Sequence, residues 1–253
     1  MPAAYDRYLV PVVFRPFAED LTTRAAALRP RRILELAAGT GVLTSGLLAA
    51  APSAEVTATD LNEAMVTLGS AQAPGAAWRQ ADAQRLPFPD GSFDLVVCQF
   101  GVMFFPDRIG AYAEVRRVLT PGGRFLFNTW APLETHGFEV ALQAGLDRAF
   151  PADPPPFFRA FPHGYADPTV VAADLTAAGF TVEEVREVTV HGRAESVADL
   201  ATGYLTGTPV RAAVEERGGG PQARAVVTEE MTARLGPGPV TAPMSAYVFS
   251  AVA

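Results

Sequence analysis

The chain has 253 residues, 49% apolar and 19% charged, with a formal net charge of −7. That length supports a large buried core. The acidic balance, broken only by short clusters such as Arg31-Arg32 and Arg116-Arg117, excludes the phosphate-neutralising face that nucleic-acid binding needs. One cysteine, Cys98, and three scattered histidines exclude a disulfide framework and a short-spaced metal motif.

The apolar run from Leu9 to Phe14 is interrupted by Pro11 and followed by Arg15 and Pro16, too short for a leader. No apolar run approaches the roughly 18 residues of a membrane span. A cytoplasmic enzyme is the expectation.

Residues 1–28 read as a helical cap, with Tyr8 and Phe14 placed to cover a ligand. Strand 1 is expected over 32–37, and its helix over 41–51 is stopped by Pro52. Strand 2, Glu55 to Thr59, ends at Asp60. Asn62 is placed to cap the helix that carries Leu61, Met65 and Leu68. Strand 3 covers 77–80, ending near Asp82, and strand 4 covers 93–99 after the turn Pro89-Asp90-Gly91-Ser92. A helix capped by Asp107 should turn Ile109, Tyr112, Val115 and Leu119 inward. Pro121-Gly122-Gly123 then leads into strand 5, 124–130. Residues 132–166, rich in Pro, Phe and His, read as an insertion or lid. Asp167-Pro168 opens a helix that Gly179 stops. Residues 180–190 alternate as a strand, 195–235 read as broken helices, and 246–252 form a last strand.

The βαβαβ alternation implies a largely parallel sheet with helices on both faces. Ligands of such sheets lie beyond the carboxyl ends of the strands. Those ends carry Gly39, Gly41, Asp60, Asp82, Gln99 and Phe100.

Ile33 to Leu36 followed by Ala37-Ala38-Gly39-Thr40-Gly41 is a buried strand opening into a Gly-rich turn and a helix. This is the start of a nucleotide-binding unit, or simply a tight turn with no ligand. Asp60 stands about twenty residues on, where a carboxylate can take two ribose hydroxyls or else cap a helix.

Glu35-Leu36-Ala37-Ala38-Gly39-Thr40-Gly41 resembles motif I of class I S-adenosylmethionine-dependent methyltransferases. Thr59-Asp60-Leu61-Asn62, Asp82-Ala83-Gln84-Arg85-Leu86-Pro87-Phe88 with Phe93-Asp94-Leu95-Val96, and Val118-Leu119-Thr120-Pro121-Gly122-Gly123 resemble the segments that follow it. The resemblance covers residues 30–130 and points to the small-molecule, ubiquinone/menaquinone-methyltransferase-like type. It implies one domain over 1–253, with its core at 30–130 and 168–253. It also implies a Rossmann-like seven-stranded sheet with an antiparallel last strand.

The implied cofactor is S-adenosylmethionine. Ala37, Gly39 and Gly41 would pass its methionine part, and Glu35 its ammonium side. Asp60 would hold the ribose, with Leu61 and Met65 against adenine and Asp82 and Ala83 at its amino edge. Gln99 and Phe100 would line the methyl end. A dinucleotide-dependent dehydrogenase is the rival, but it wants a third glycine where Thr44 stands.

The family's Asp/Asn-Pro-Pro-Tyr motif for methylating amide or base nitrogens would fall near 99–105, where this chain has Gln99-Phe100-Gly101-Val102-Met103-Phe104-Phe105; the resemblance therefore argues against exocyclic base nitrogens and glutamine side chains as acceptors. The aromatic stretches suit a small apolar acceptor, or equally a core. His163 is the first candidate base, His136 the second, and His191 lies further off. Cys98 reads as a core residue. The second function considered is cofactor binding without methyl transfer. The oligomeric state is open, a homodimer among the options.

Overall fold

The computed structural model describes residues 2–253. Helix α1 (Pro2–Ala4) runs through a π-helical segment (Tyr5–Phe14) into α2 (Arg15–Ala27). Pro11 lies inside the π-helical segment, where its missing N–H leaves a carbonyl without the usual helical donor. There follow β1 (Arg32–Leu36), α3 (Val42–Ala50), β2 (Glu55–Asp60), α4 (Glu63–Gln72), β3 (Ala77–Gln80), β4 (Phe93–Gln99) and α5 (Arg108–Val118). Then come β5 (Leu119–Trp130), α6 (Gly137–Ala149), α7 (Phe157–Ala160), α8 (Pro168–Ala177) and β6 (Thr181–Ala194). The chain ends with α9 (Val197–Gly207), α10 (Val210–Glu216), α11 (Pro221–Leu235) and β7 (Val240–Val252).

The sheet order is β3-β2-β1-β4-β5-β7-β6. Strands β1 to β5 pair in parallel, and β7 runs antiparallel to β5. This is the expected Rossmann-like arrangement. The capping residues also stand where the sequence puts them. Asn62 accepts from the Ala64 amide, Asp107 from Gly110 and Asp167 from Thr169.

Strand limits and one side chain differ from the sequence expectation: β6 runs on to Ala194 and β7 begins at Val240 rather than at 246. Strand β5 begins at Leu119, and Pro121-Gly122-Gly123 forms a register shift inside it, between the Phe93 and Leu95 pairings. Ile109 is 43% exposed, because the buried stripe of α5 is Ala111, Tyr112, Val115 and Val118. Those positions hold helical spacing among themselves without it.

The chain divides into two compact units. One comprises Phe17–Trp130, Tyr165–Val188 and Ala246–Ala253. On one face of its sheet, Leu21 and Ala25 of α2 and Leu43 and Leu47 of α3 pack on Ile33, Val56, Leu95, Val97, Leu126 and Val248. On the other face the aromatics Phe125, Phe127, Phe249 and Tyr112 stack together.

The second unit comprises the chain up to Pro16, Ala131–Gly164 and Thr189–Ser245. Within it α11 packs along α6, and α9 packs on the π-helical segment. The region expected as a lid is thus built into helices, and most of it shares a unit with the broken helices that follow β6. No helix of the described residues is long and apolar enough to cross a membrane.

The chain contains no lysine, so its surface ion pairs are made by arginine. The most connected is Arg117, which donates to Glu114, to Asp90 and to the Leu86 and Phe88 carbonyls. It binds the loop before β4 to α5.

Trp78 of β3 lies across α4, its indole N–H donating to the Ala73 carbonyl at 3.0 Å. A Cβ at Gly69 would stand 2.3 Å from that ring. Gly→Ala inside a helix ordinarily stabilises by about 0.5–1 kcal/mol. Here overpacking, about 1–3 kcal/mol, dominates. Gly69→Ala should therefore lower the melting temperature, which a thermal denaturation curve reads directly.

Candidate functional site: the carboxyl edge of the sheet

Glu35, Asp60, Gln99 and Asn128 share one face of the sheet at its carboxyl edge. Glu35 pairs with Ala58 of β2 and Val97 of β4, and Gln99 pairs with Asn128. Asp60 and Gln99 stand two residues beyond Ala58 and Val97, so the pleat turns them to the same side.

Beyond β1 the backbone enters left-handed conformations at Ala37 (φ 51°), Gly39 (φ 57°) and Gly41 (φ 89°). The Gly39 amide donates to Asp60 Oδ2 at 2.9 Å, while Oδ1 accepts from the Asn62 amide at 2.8 Å. Asp60 therefore fixes the loop and also starts the approach to α4, while Asn62 is the helix cap. With the Leu61 amide also directed at the carboxylate, one lone pair is left for a ligand. Burial pushes the Asp60 carboxyl above its usual range, and the amides of Asn62, Gly39 and Leu61 oppose that rise.

Glu35 is fully buried, at 1% exposure. Its Oε2 accepts from the Thr44 hydroxyl at 2.6 Å. Burial pushes its carboxyl up to about 8, the Thr44 bond opposes this, and the nearby Asp60 charge adds to it. Thr44 was visible in the sequence only as the glycine a dehydrogenase would need. Its helical position, facing back onto β1, was the available signal.

Leu61 is 67% exposed beside Asp60, and Met65 is partly buried. Asp82 and Ala83 lie half-buried after β3. Asp82 Oδ1 accepts from the Gln84 amide at 2.9 Å, and Gln84 Oε1 accepts from the Asp107 amide at 3.0 Å. The loop after β3 is thereby tied to the start of α5.

At the end of β4, Phe100 adopts φ 52°. A left-handed non-glycine residue costs about 1–3 kcal/mol. Three contacts offset that cost. The Phe100 amide donates to Asn128 Oδ1 at 2.9 Å. Its ring stacks on Trp130 with centroids 3.6 Å apart and planes 8° apart. Phe17 meets both rings edge-on at 5.2 Å. Aromatic pairs contribute about 0.5–1.5 kcal/mol each beyond burial. At Gly101 a Cβ would lie 2.6 Å from Ala37 Cβ and 2.7 Å from Cys98 Sγ. The ends of β1 and β4 therefore close on each other, and only glycine fits between them. Sequence reasoning missed Asn128 and Trp130 because their contacts with Phe100 are distant in the chain.

The edge suits an adenosyl amino acid. Ala37 and Gly39 are half-buried in left-handed conformations, Asp60 keeps a lone pair for a hydroxyl, and the Thr40 hydroxyl is buried without a protein partner. The pattern described by the methyltransferase domain model matches residues 34–127. The chain is 36% identical over 204 residues to malonyl-[acyl-carrier protein] O-methyltransferase of Halorhodospira halophila, covering 70% of this chain and 68% of that one. The chain belongs to the S-adenosylmethionine-dependent methyltransferase family.

Demethylmenaquinone methyltransferase of Thermus thermophilus is 39% identical over 145 residues, 53% of this chain. That match spans 66% of the Thermus protein, just under two thirds of its length. Among solved structures, BH2331 of Bacillus halodurans superposes with a TM-score of 0.59 at 20% identity, over 92% of this chain and 97% of that one. At that identity the likeness concerns the methyltransferase fold alone.

The histidines lie in the second unit. His163 is buried, with Nδ1 2.6 Å from the Ala131 carbonyl and Nε2 2.8 Å from Glu139 Oε2. The carbonyl only accepts, so Nδ1 carries a proton. One further proton lies on the Nε2–Oε2 line, on either atom. Both nitrogens of the expected base are thus engaged, with Ala131 and Glu139.

His136 is the N-cap of α6, its Nδ1 accepting from the Glu139 amide at 3.3 Å. Burial drives its pKa down to about 4. Burial also works to raise the Glu139 carboxyl, but His136, His163 and Tyr204 together hold it below its ordinary range. His191 is exposed on β6. Tyr8 and Phe14 belong to the π-helical segment, where Phe14 packs on Tyr5 with centroids 4.8 Å apart. Burial pushes the Cys98 thiol up to about 12, so it stays protonated as a core residue.

A histidine with a depressed folded pKa binds fewer protons folded than unfolded between about 4 and 6.5. Stability is therefore full above pH 6.5 and lost as pH falls through about 4. His136→Asn keeps a capping side chain and removes the titration. Urea denaturation between pH 4 and 7 should show a flatter acid limb for the variant.

Proposed function

We propose that this chain transfers a methyl group from S-adenosylmethionine to a small-molecule acceptor without a histidine base. The observation that carries the reading is the left-handed loop Ala37–Gly41 locked to Asp60 by the Gly39 amide. When bound, S-adenosylmethionine supplies a methyl group on a sulfonium, displaced in line by the acceptor.

The chain's residues bind and orient. Glu35 attends the ammonium, and the backbone of Ala37, Gly39 and Gly41 passes the amino-acid part. Asp60 accepts from a ribose hydroxyl. Leu61 and Met65 offer apolar surface to the adenine, with Asp82 and Ala83 at its edge. Gln99 and Phe100 shape the methyl end, and Trp130 and Asn128 hold Phe100 in its strained conformation. A fixed, largely apolar wall there excludes water and holds the reactants aligned, an effect worth up to ~7–11 kcal/mol in favourable cases.

The inventory of bases supports an acceptor that needs none from the protein. There is no lysine, Cys98 is a buried thiol, His136 caps a helix and His163 is engaged at both nitrogens. An acceptor atom that is already anionic or carries only a weakly held proton fits this inventory. Of the two relatives, the one named for demethylmenaquinone acts on a small molecule, which supports this acceptor class, and the one named for malonyl-[acyl-carrier protein] acts on an acyl group carried by a protein. A cytoplasmic location and independence from nucleic acid complete the reading.

S-adenosylhomocysteine at 100 times its Kd should stabilise the wild-type chain by ~2.7 kcal/mol, seen as a raised melting temperature. Asp60→Ala should remove that shift while the protein remains folded by circular dichroism. An undiminished shift in the folded variant would take the ribose role from Asp60, and no shift in the wild type would sink the cofactor assignment.

A further inference from the structure

Glu35 is an acid enclosed without a cation of its own. Thr44 of α3 reaches it with a neutral hydroxyl. On the β2 side stand the Thr59 hydroxyl, which donates to the Glu35 carbonyl at 2.9 Å, and the carboxyl of Asp60. On the β4 side its pairing partner is the apolar Val97, and Cys98 stands next in the strand on the sheet's other face. The nearest basic residue along β1, Arg32, opens the strand at its opposite end. Arg24 of α2 is paired with Asp20 and Glu184. Among the described residues no arginine or histidine forms an ion pair with Glu35. A buried carboxylate with one hydroxyl donor and an acidic neighbour is strongly disfavoured against its neutral form.

We propose that Glu35 is an uncharged carboxylic acid before the cofactor arrives, and that capture of the cofactor's ammonium group expels the Glu35 proton to solvent. The inference rests on the cofactor reading above. The balance is simple. The O–H bond of the Glu35 carboxyl breaks, its proton passes to buffer, and the carboxylate left behind faces an ammonium that keeps its own protons. A glutamine would bind the same group without the charge. An acid that ionises only against its ligand avoids an unpaired buried charge in the free protein and still provides an ion pair in the complex.

Two consequences are measurable. Calorimetric titration with S-adenosylhomocysteine in phosphate and in Tris, buffers of different ionisation heat, should show release approaching one proton per site at pH 7. That release should be halved near pH 8. Below that range the affinity should rise up to tenfold per pH unit. In the protein alone, infrared spectroscopy should show a protonated-carboxyl band that vanishes in Glu35→Gln.

Binding with identical heats in both buffers would overturn the proposal. So would proton release of the same size in Glu35→Gln, or a free protein lacking the band. Absence of any binding would overturn the cofactor reading itself, a distinct outcome.

Discussion

The hydrogen bond from the Gly39 amide to Asp60 is the constraint around which the sheet edge is arranged. It takes one carboxylate oxygen to hold a left-handed loop after β1, while the other oxygen sets the entry to α4. Because a single side chain performs both tasks, the loop after β1 and the end of β2 cannot drift independently. The same economy recurs at β4, where Asn128 holds Phe100 and Gly101 lets the turn approach Ala37. Two adjacent strand ends are thus strained and braced together, as expected of a site whose geometry must exist before its ligand does.

The second unit carries its polar interior differently. Glu139 sits between His136 and His163, with the buried Tyr204 phenol facing the same carboxyl. Such a cluster is costly to leave half-satisfied, and here one proton shared along the His163–Glu139 line leaves no net charge on that pair. It binds the segment after β5, the start of α6 and the 161–164 turn into one piece. His163, beside a glycine in a Phe- and Pro-rich stretch, reads as a base in sequence; the structure adds its two partners, the Ala131 carbonyl and Glu139, neither of them near it in the chain.

Local features were legible from the sequence. Strand β3 was placed at Ala77–Gln80 from four residues between a glycine and an acid. Asp167-Pro168 announced α8 because a cap followed by proline is a purely local signal. The motif I loop and Asp60 were readable because glycine and carboxylate positions there answer to backbone geometry. Contacts between distant residues were not. Nothing near Thr44 says that its hydroxyl turns back to Glu35, and nothing near Gly69 names Trp78 as its cover. Ile109 was assigned inward because helical periodicity fixes the spacing of a stripe but not which of two adjacent stripes meets the sheet. Glu139 was passed over because acidic residues in a first helical turn are usually a response to the helix dipole.

The absence of lysine reaches beyond the ion pairs. Guanidinium groups keep their charge far into alkali, where ammonium side chains begin to lose theirs near 10.4. The tyrosines at 112, 165, 204 and 247 are also held above their ordinary ionisation range. The 20 positive side chains therefore keep their charge through about pH 10, so no part of an alkaline change in the folded chain's electrophoretic mobility comes from its basic side chains.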